Sequence, residues 1–228
     1  DVCSSDLDQA ALMVEVACEQ EPTVSNERFV AFLNLALEKG LASGATSAKD
    51  LLAVETDDGT LADSLTALAG TVGENVQLRR AARVEAPQGG VLGAYVHFNK
   101  KAGAVCALAL DGADAGSPER QTAARDICMH AVAARPAAVT REAIPDEEIA
   151  KEKEIFQEEV KDKPENIQEK ILQGKLSKFY KEKVLLEQVF VKDPEGKQTV
   201  GKMLEAAAKQ AGGTAEIAGF ARFELGQA

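Results

Sequence analysis

The sequence predicts an α+β protein with two related subdomains, each holding a small antiparallel sheet with helices, and a projecting antiparallel helical hairpin. Three observations support this prediction. Short apolar, strand-like runs alternate with segments of helical periodicity. Residues 60–85 and 199–224 share one helix–glycine–strand pattern. Residues 146–187 are rich in charge and carry thin apolar stripes, which is typical of two paired, mostly solvated helices.

The first half of the chain carries most of the predicted strands. We expect a helix whose apolar residues recur at helical spacing over 26–39 and which stops at Gly40. Two shorter helices are expected at about 47–53 and 60–71, the second ending at Gly73. The predicted strands cover residues 11–18, 75–86, 91–98 and 103–110. Because short turns separate the last three strands, they predict a meander.

The second half is mainly helical. Ser117 as N-cap and Pro118 at the first helical position predict a helix that runs to about Ala134. Two striped segments that break at Pro164 predict the hairpin at about 146–183, whose charges are mostly a solvated face. The remaining predictions are a strand at 184–191, a helix at 199–210 and a strand at about 214–225.

The repeat defines the predicted domains. At a constant offset of 139 residues, it pairs Thr60 with Thr199, Gly73 with Gly212 and Arg83 with Arg222. Chance similarity between alanine-rich helices is the alternative, but the match continues through the glycine into the strand. We therefore expect subdomains at 10–115 and 116–228, with the hairpin inserted in the second. Residues 1–9 stay unassigned, because residues 1–7 look unlike the rest of the chain.

Composition excludes several functions. The net charge of the 228-residue chain is −11, which argues against nucleic acid as the main ligand. No apolar run is long enough to span a membrane, and no signal peptide is evident. The sequence has no phosphate-binding loop or metal-ligand motif, so we expect no cofactor and no metal.

The cysteines and histidines predict no active site. The four cysteines lack the C-x-x-C spacing of a zinc or redox site, and we expect Cys18 and Cys106 to be small buried hydrophobes in a reducing cytosol. Cys128 and His130 lie two residues apart on a predicted helix, so their side chains point to different faces. An enzyme with a Cys–His pair is therefore only a minor alternative.

Several motifs occur together in one order: GENVQLRRAARVE, VLGAYVHFNKKAGAVCAL, DICMHAVAARPAAV, GKLSKFYKEKVLLEQVFVKD and FARFELG. Over about residues 10–226 the chain thereby resembles bacterial translation elongation factor Ts. The resemblance implies a cytoplasmic guanine-nucleotide exchange factor that catalyses no covalent chemistry. Such a factor binds elongation factor Tu, disturbs Mg²⁺ and phosphate binding, and promotes GDP release. The family includes monomers and dimers, so a homodimer stays open.

The resemblance also implies contact residues. The family has a Thr-Asp-Phe-Val motif that enters the GTPase near its Mg²⁺ site, and its counterpart here is Gln20, Glu21, Pro22 and Thr23. Glu21 keeps the acid, whereas Pro22 replaces the aromatic residue; alternatively, these residues only form a strand-to-helix turn. Ala102 and Gly103 stand at the tip of the strand hairpin between residues 91–98 and 103–110, where the family has a small apolar pair that touches the partner. Alternatively, Gly103 only shapes the turn. His130 matches a contacting histidine, and alternatively it is a core or surface residue.

Two features set the chain apart from the family pattern. Pro22 stands in place of the aromatic wedge, and we find no counterpart of the family's small N-terminal helical domain in these residues, which we interpret as a core that is either a fragment or a shortened version. The alternative hypothesis is therefore a core that binds elongation factor Tu but exchanges nucleotide poorly. Arg79, Arg80, Arg83 and Arg222 lie in the repeated strands, and we expect them to be structural.

Overall fold

The structure, a computed structural model, describes residues 2–7, 9–111 and 118–227. Its strands are β1 (Val2–Leu7), β2 (Ala10–Ala17), β3 (Glu55–Thr56), β4 (Gly59–Thr60), β5 (Gln77–Glu85), β6 (Val91–Val96), β7 (Ala102–Asp111) and β8 (Thr214–Glu224). Its α-helices are α1 (Glu27–Ser43), α2 (Ala48–Leu52), α3 (Leu61–Val72), α4 (Pro118–Ala134), α5 (Asp146–Val160), α6 (Glu165–Lys183) and α7 (Val200–Gln210). The predicted α+β class with small antiparallel sheets is confirmed.

The chain forms two compact units. The first comprises Asp1–Val132 with Ala207–Ala228, and the second is Ala133–Ala206. The predicted subdomain boundary between residues 115 and 116 stays a prediction. Ser117, the predicted N-cap of α4, lies outside the described residues.

Two three-stranded antiparallel sheets form the first unit, with strand orders β1–β2–β5 and β6–β7–β8. The predicted meander of β5, β6 and β7 is therefore wrong, because β5 pairs with β2 while β6 and β7 pair in the other sheet. β1, from the segment that the sequence left unassigned, pairs along β2 as an edge strand. Turn residues between strands indicate where a chain reverses, but they do not decide which neighbour a strand pairs with.

β2 is buried on both faces, which explains its continuous apolar sequence. Leu12 and Val14 on one face pack with Phe29 of α1 in a core that also includes α2 and α3. Ala11 and Met13 on the other face belong to a second core between the two sheets, together with Val84, Val105, Ala107 and Phe223. The alternation of strand side chains thus places one sheet between helices and the second sheet.

The repeat predicted at an offset of 139 residues reappears in the strand register. β2 and β5 shift register between Glu15 and Val16, where Arg79 of β5 is bulged out of the pairing. β7 and β8 shift between Ala107 and Leu108, and the bulged residue is Ala218, the repeat partner of Arg79. A β-bulge in the same place in both sheets indicates two copies of one unit rather than chance similarity.

Arg83 and Arg222, which are repeat partners, make equivalent contacts. Arg83 pairs with Glu85 at 2.7 Å and donates to the Leu41 carbonyl near the end of α1 at 3.1 Å. Arg222 pairs with Glu224 and donates to the Ala131 carbonyl near the end of α4 at 3.0 Å. Each arginine therefore ties its strand to a helix terminus, as expected of a structural residue.

Arg80 is structural as well. Its Nε donates to the Oε2 atom of the fully buried Glu15 at 2.8 Å. Its guanidinium lies 4.6 Å from the ring centroid of Phe223. Arg79 is more exposed and reaches Oε1 of Glu15 at 3.8 Å. This buried charge on β2 is thus compensated by the paired strand.

The predicted helix ends are right for α3 and wrong for α1. Thr60 and Asp63 form a capping box at the start of α3, and Gly73 ends it with φ of 72°. α1 continues through Gly40 to Ser43, and Gly44 caps it with φ of 77°. Gly40 serves close packing instead, because a Cβ atom there would lie 2.4 Å from Cδ2 of Leu12.

The second unit contains the predicted hairpin, formed by α5 and α6. Ile149 and Phe156 of α5 pack with Phe179 and Tyr180 of α6 in one apolar cluster. The predicted strand at 184–191 is wrong: residues Leu185–Glu187 form a 3₁₀ turn. The 3₁₀ turn interrupts the segment, which makes only isolated bridges, and the side chain of the buried Gln188 donates to the carbonyls of Ala134 and Glu182.

Candidate protein-binding site

The turn after β2 contains the four residues predicted to touch a partner. Residues Glu21–Ser25 form a 3₁₀ turn, with Gln20 extended before it and Pro22 in its first positions. The next residue, Asn26, caps α1 by accepting from the backbone NH of Arg28 at 2.9 Å. The turn therefore leads from a buried strand into a helix that buries one of its faces.

Glu74, a half-buried residue just after α3, holds this turn with two hydrogen bonds. The hydroxyl of Thr23 donates to Oε1 of Glu74, and the backbone NH of Gln20 donates to Oε2 at 3.1 Å. Thr23 is buried, whereas Glu21 and Pro22 are exposed. The side chain of Gln20 is exposed too, so three of the four residues are available to a partner, and buried Thr23 helps to fix the conformation. Sequence reasoning missed Glu74, although its place directly after Gly73 made a contact with another loop plausible.

Glu21 joins the turn to the β6–β7 hairpin. Its Oε1 lies 2.9 Å from Nζ of Lys101, just before β7. The hydrogen bond and positive charge of Lys101 hold the pKa of Glu21 below its ordinary value. Two segments distant in sequence therefore form one surface, which we call the Glu21–Lys101 surface. It consists of Glu21, Pro22 and residues 97–101.

Ala102 and Gly103 are not at the tip of the hairpin. They are the first residues of β7, and Gly103 is buried between its strand partners Val96 and Phe223. The tip is instead the turn 97–101, of which the sequence assigned residues 97 and 98 to a strand and residues 99–101 to the separator between strands. Whether Ala102 and Gly103 contact a partner stays a prediction, and Ala102 is next to Lys101 in the chain.

The tip carries the most exposed large apolar side chain among the described residues, that of Phe98, at 88 % exposure. Sequence reasoning assigned Phe98 to the end of a strand. The strand ends at Val96 because Lys100, at φ of 55°, turns the chain back. An aromatic residue beside a Lys-rich turn was the signal that could have identified it.

His130 lies away from the solvent. It is fully buried in α4, and so is Cys128 on the same helix. Cys128 donates to the Gly93 carbonyl at 3.3 Å, and a hydrogen bond with Cys106, together with burial, raises its pKa well above the ordinary value. A protonated, inaccessible thiol is a poor nucleophile, so this pair offers no catalytic centre. A partner contact by His130 stays a prediction.

The described residues contain no group of three or more His, Cys, Asp or Glu side chains that could hold a metal ion. No helix within the described ranges is long and apolar enough to cross a membrane. What these residues do present is a braced turn and a hairpin tip on one surface. We take this surface as the candidate site for binding another protein.

The chain belongs to the elongation factor Ts family. The family model described as "Elongation factor TS" matches residues 23–227. Elongation factor Ts of Thioalkalivibrio sulfidiphilus is 39 % identical over 228 residues, which cover 99 % of this chain and 72 % of the relative. That of Micrococcus luteus is 39 % identical over 217 residues, covering 94 % and 74 %. That of Clostridium botulinum (strain Eklund 17B / Type B) is 34 % identical over 222 residues, covering 96 % and 71 %.

Membership confirms the predicted family and implies nucleotide exchange in translation elongation, without covalent catalysis. The family match begins at Thr23. Gln20, Glu21 and Pro22 therefore lie just outside the matched residues, and their role rests on geometry.

Proposed function

We propose that this chain promotes GDP release from elongation factor Tu by binding it through the Glu21–Lys101 surface. The observation that supports this proposal is the ion pair itself, which brings the turn after β2 and the hairpin tip together. Both segments also stand on rigid elements, since Glu74 holds the turn and β7 lies in the middle of its sheet. A surface that is ordered before binding loses less entropy when the complex forms.

The energetic basis is thermodynamic linkage. A factor that binds the nucleotide-free GTPase more tightly than the GDP-bound form must weaken GDP binding by the same ratio. Each tenfold ratio corresponds to about 1.4 kcal/mol of coupling. GDP is held by its phosphates and, through them, by Mg²⁺. We therefore place the site of coupling at the phosphate and Mg²⁺ end of the nucleotide.

Glu21 has the chemistry for this coupling. Glu21 is ionised at neutral pH, as an exposed carboxyl is, and the hydrogen bond and charge of Lys101 lower its pKa further. An anion brought close to the phosphates opposes their binding, and a carboxylate is also a ligand that Mg²⁺ accepts. Glu21 is thus the residue of the turn that we expect to disturb both groups.

The second candidate function is a core that binds elongation factor Tu and exchanges nucleotide poorly. Pro22 favours it, because an exposed proline ring offers the turn no aromatic wedge. Against it, proline restricts the backbone and lowers the cost of ordering the turn. The two functions differ in one result, which is whether binding is accompanied by faster GDP release.

The proposal includes the cytoplasm as the place of action, where elongation factor Tu works. It includes no nucleic acid as a ligand, in keeping with the net charge of −11. A homodimer is a further possibility, and sedimentation equilibrium of the purified chain would test it.

Calorimetric titration of nucleotide-free and GDP-bound elongation factor Tu with this chain tests the linkage. We expect tighter binding to the nucleotide-free form. Equal affinities for the two forms would contradict exchange activity, because no coupling free energy would then exist. Preferential binding without accelerated GDP release would identify the second candidate.

A further inference from the structure

Phe98 is unusual among the aromatic residues of this chain. The other seven phenylalanines are buried or half-buried, namely Phe29, Phe32, Phe156, Phe179, Phe190, Phe220 and Phe223. Phe98 alone among them is exposed, and it stands at the tip of the hairpin. Large exposed apolar side chains are stabilised when a partner removes them from water, so such a position indicates an interaction site.

The turn that carries Phe98 is well ordered. The backbone NH of Lys100 donates to the His97 carbonyl at 2.8 Å, and the NH of His97 donates to the Ala102 carbonyl at 2.9 Å. The side chain of Asn99 accepts from the NH of Lys101 at 3.0 Å. Phe98 is therefore presented on a fixed backbone, which lowers the cost of burying it against a partner.

The ring of Phe98 contacts the neighbouring ring of His97 in the β6–β7 hairpin. Its centroid lies 4.4 Å from that of His97, with the planes tilted by 41°. His97 in turn meets the ring of Tyr95 edge-on at 6.4 Å. Tyr95, His97 and Phe98 thus form a row of three contacting rings, and most of the Phe98 side chain stays exposed to solvent.

The turn that carries Phe98 also carries Asn99, Lys100 and Lys101. Lys101 is paired with Glu21, and its carbonyl accepts from the NH of Leu225 at 2.7 Å. Leu225 is a second exposed apolar side chain, at 37 % exposure. Exposed apolar side chains close to charged residues are a composition that binding surfaces share.

We propose that Phe98 is the aromatic anchor of the Glu21–Lys101 surface and inserts into an apolar pocket of elongation factor Tu. The inference rests on the proposed function, since it names the residue through which that surface holds its partner. The occupant follows from continuity: Phe98 and Lys101 share one ordered turn, and Lys101 pairs with Glu21, so we assign Phe98 and Glu21 to the same partner. Pro22, the exposed apolar residue of the turn after β2, has no aromatic ring, and the β6–β7 hairpin supplies one.

The test compares Phe98→Ala, Phe98→Tyr and the matched control Ile155→Ala. Ile155 is also an exposed apolar residue, at 52 %, but it lies on α5 in the second unit. We measure the Kd for nucleotide-free elongation factor Tu and the concentration that half-maximally accelerates GDP release. We expect Phe98→Ala to raise both at least tenfold, Phe98→Tyr less than threefold, and Ile155→Ala not at all. Thermal unfolding of all three should match the parent chain, because each side chain is exposed.

If the parent chain and Phe98→Ala bind elongation factor Tu with equal Kd values, the inference is overturned and the proposed function still stands. An equal loss for Ile155→Ala would also overturn it, because the effect would then be unspecific. A parent chain that neither binds nor accelerates GDP release would overturn the proposed function itself. If the parent binds without exchange, the Kd values alone decide the role of Phe98.

Discussion

Nζ of Lys101 lies 2.9 Å from Oε1 of Glu21, and this ion pair joins the hairpin tip to the turn after β2. The pair is at the surface, so we expect its effect on folding to be small and its effect on the shape of the binding surface to be larger. Its most direct consequence is the lowered pKa of Glu21.

Lys101→Ala should raise the pKa of Glu21 towards its ordinary value. The lowered pKa means that the pair stabilises the folded state above the unfolded pKa of Glu21, and this contribution disappears as pH falls through the folded pKa. Carboxyl chemical shifts measured by NMR during an acid titration report the change. Lys178→Ala, on α6, is the control that should leave Glu21 unaffected, and an unchanged titration in Lys101→Ala would refute the pair.

Pro22→Phe should raise the maximal rate of GDP release from elongation factor Tu if the turn lacks a needed wedge. Burying a phenylalanine is worth roughly 1.5–3 kcal/mol, so an effect of about tenfold or more is expected. Stopped-flow release of a fluorescent GDP analogue measures it. Pro194→Phe, which changes another exposed proline, is the control. An unchanged rate would show that Pro22 does not limit exchange.

Gly40→Ala and Gly70→Ala should have opposite effects on stability. At Gly40 a Cβ atom would lie 2.4 Å from Leu12 and 2.8 Å from Leu51, whereas at Gly70 nothing lies within 4 Å. We expect Gly40→Ala to destabilise by about 1–3 kcal/mol through overpacking. Gly70→Ala should stabilise α3 by about 0.5–1 kcal/mol. Urea unfolding measures both, and a stabilising Gly40→Ala would contradict the packing described.

Arg222→Met should destabilise the fold more than Arg83→Met, although the two arginines are repeat partners. The side chains of Arg222 and Glu224 are 9 % and 17 % exposed, whereas those of Arg83 and Glu85 are 14 % and 69 % exposed. Losing hydrogen bonds to a buried charged group costs about 1.5–3 kcal/mol, and solvent replaces them readily at an exposed partner. Equal losses in urea unfolding would indicate that burial does not distinguish the two copies.

Cys18 should react with iodoacetamide before Cys106 and Cys128 in the native state. Cys106 and Cys128 are fully buried, whereas Cys18 is only partly buried, contrary to its expected place in the core. The pKa is raised for both Cys18 and Cys128, so alkylation should be slow at neutral pH and faster as pH rises. Peptide mapping by mass spectrometry in a Cys3→Ser background measures the order. Early labelling of Cys128 would contradict the packing of α4.

Local signals in the sequence predicted most elements, because they depend on neighbouring residues alone. The capping box at Thr60 and the glycine at Gly73 define α3 without any distant contact. Gly40 misled the prediction for the opposite reason: its lack of a side chain serves contact with Leu12 and Leu51, which belong to other elements. The pairing of β5 with β2 could not be predicted from the sequence either, because a meander and two separate sheets require similar turns.

The candidate site was predicted in part. Sequence motifs located Gln20–Thr23 and the β6–β7 hairpin. The ion pair of Glu21 with Lys101 that joins them is a tertiary contact, which no motif encodes. The Glu74 anchor and the exposure of Phe98 also depend on the folded chain. The sequence therefore indicated the candidate segments, and the structure shows that Glu21 and Lys101 bring two of them together.

The rate of GDP release from elongation factor Tu, followed by stopped-flow fluorescence of a labelled GDP with and without this chain, decides whether the chain is an exchange factor. We predict that the release rate increases with the concentration of the chain in the micromolar range and that Phe98→Ala shifts this dependence to higher concentration. A release rate that stays at its spontaneous value at every concentration would contradict nucleotide exchange by this chain.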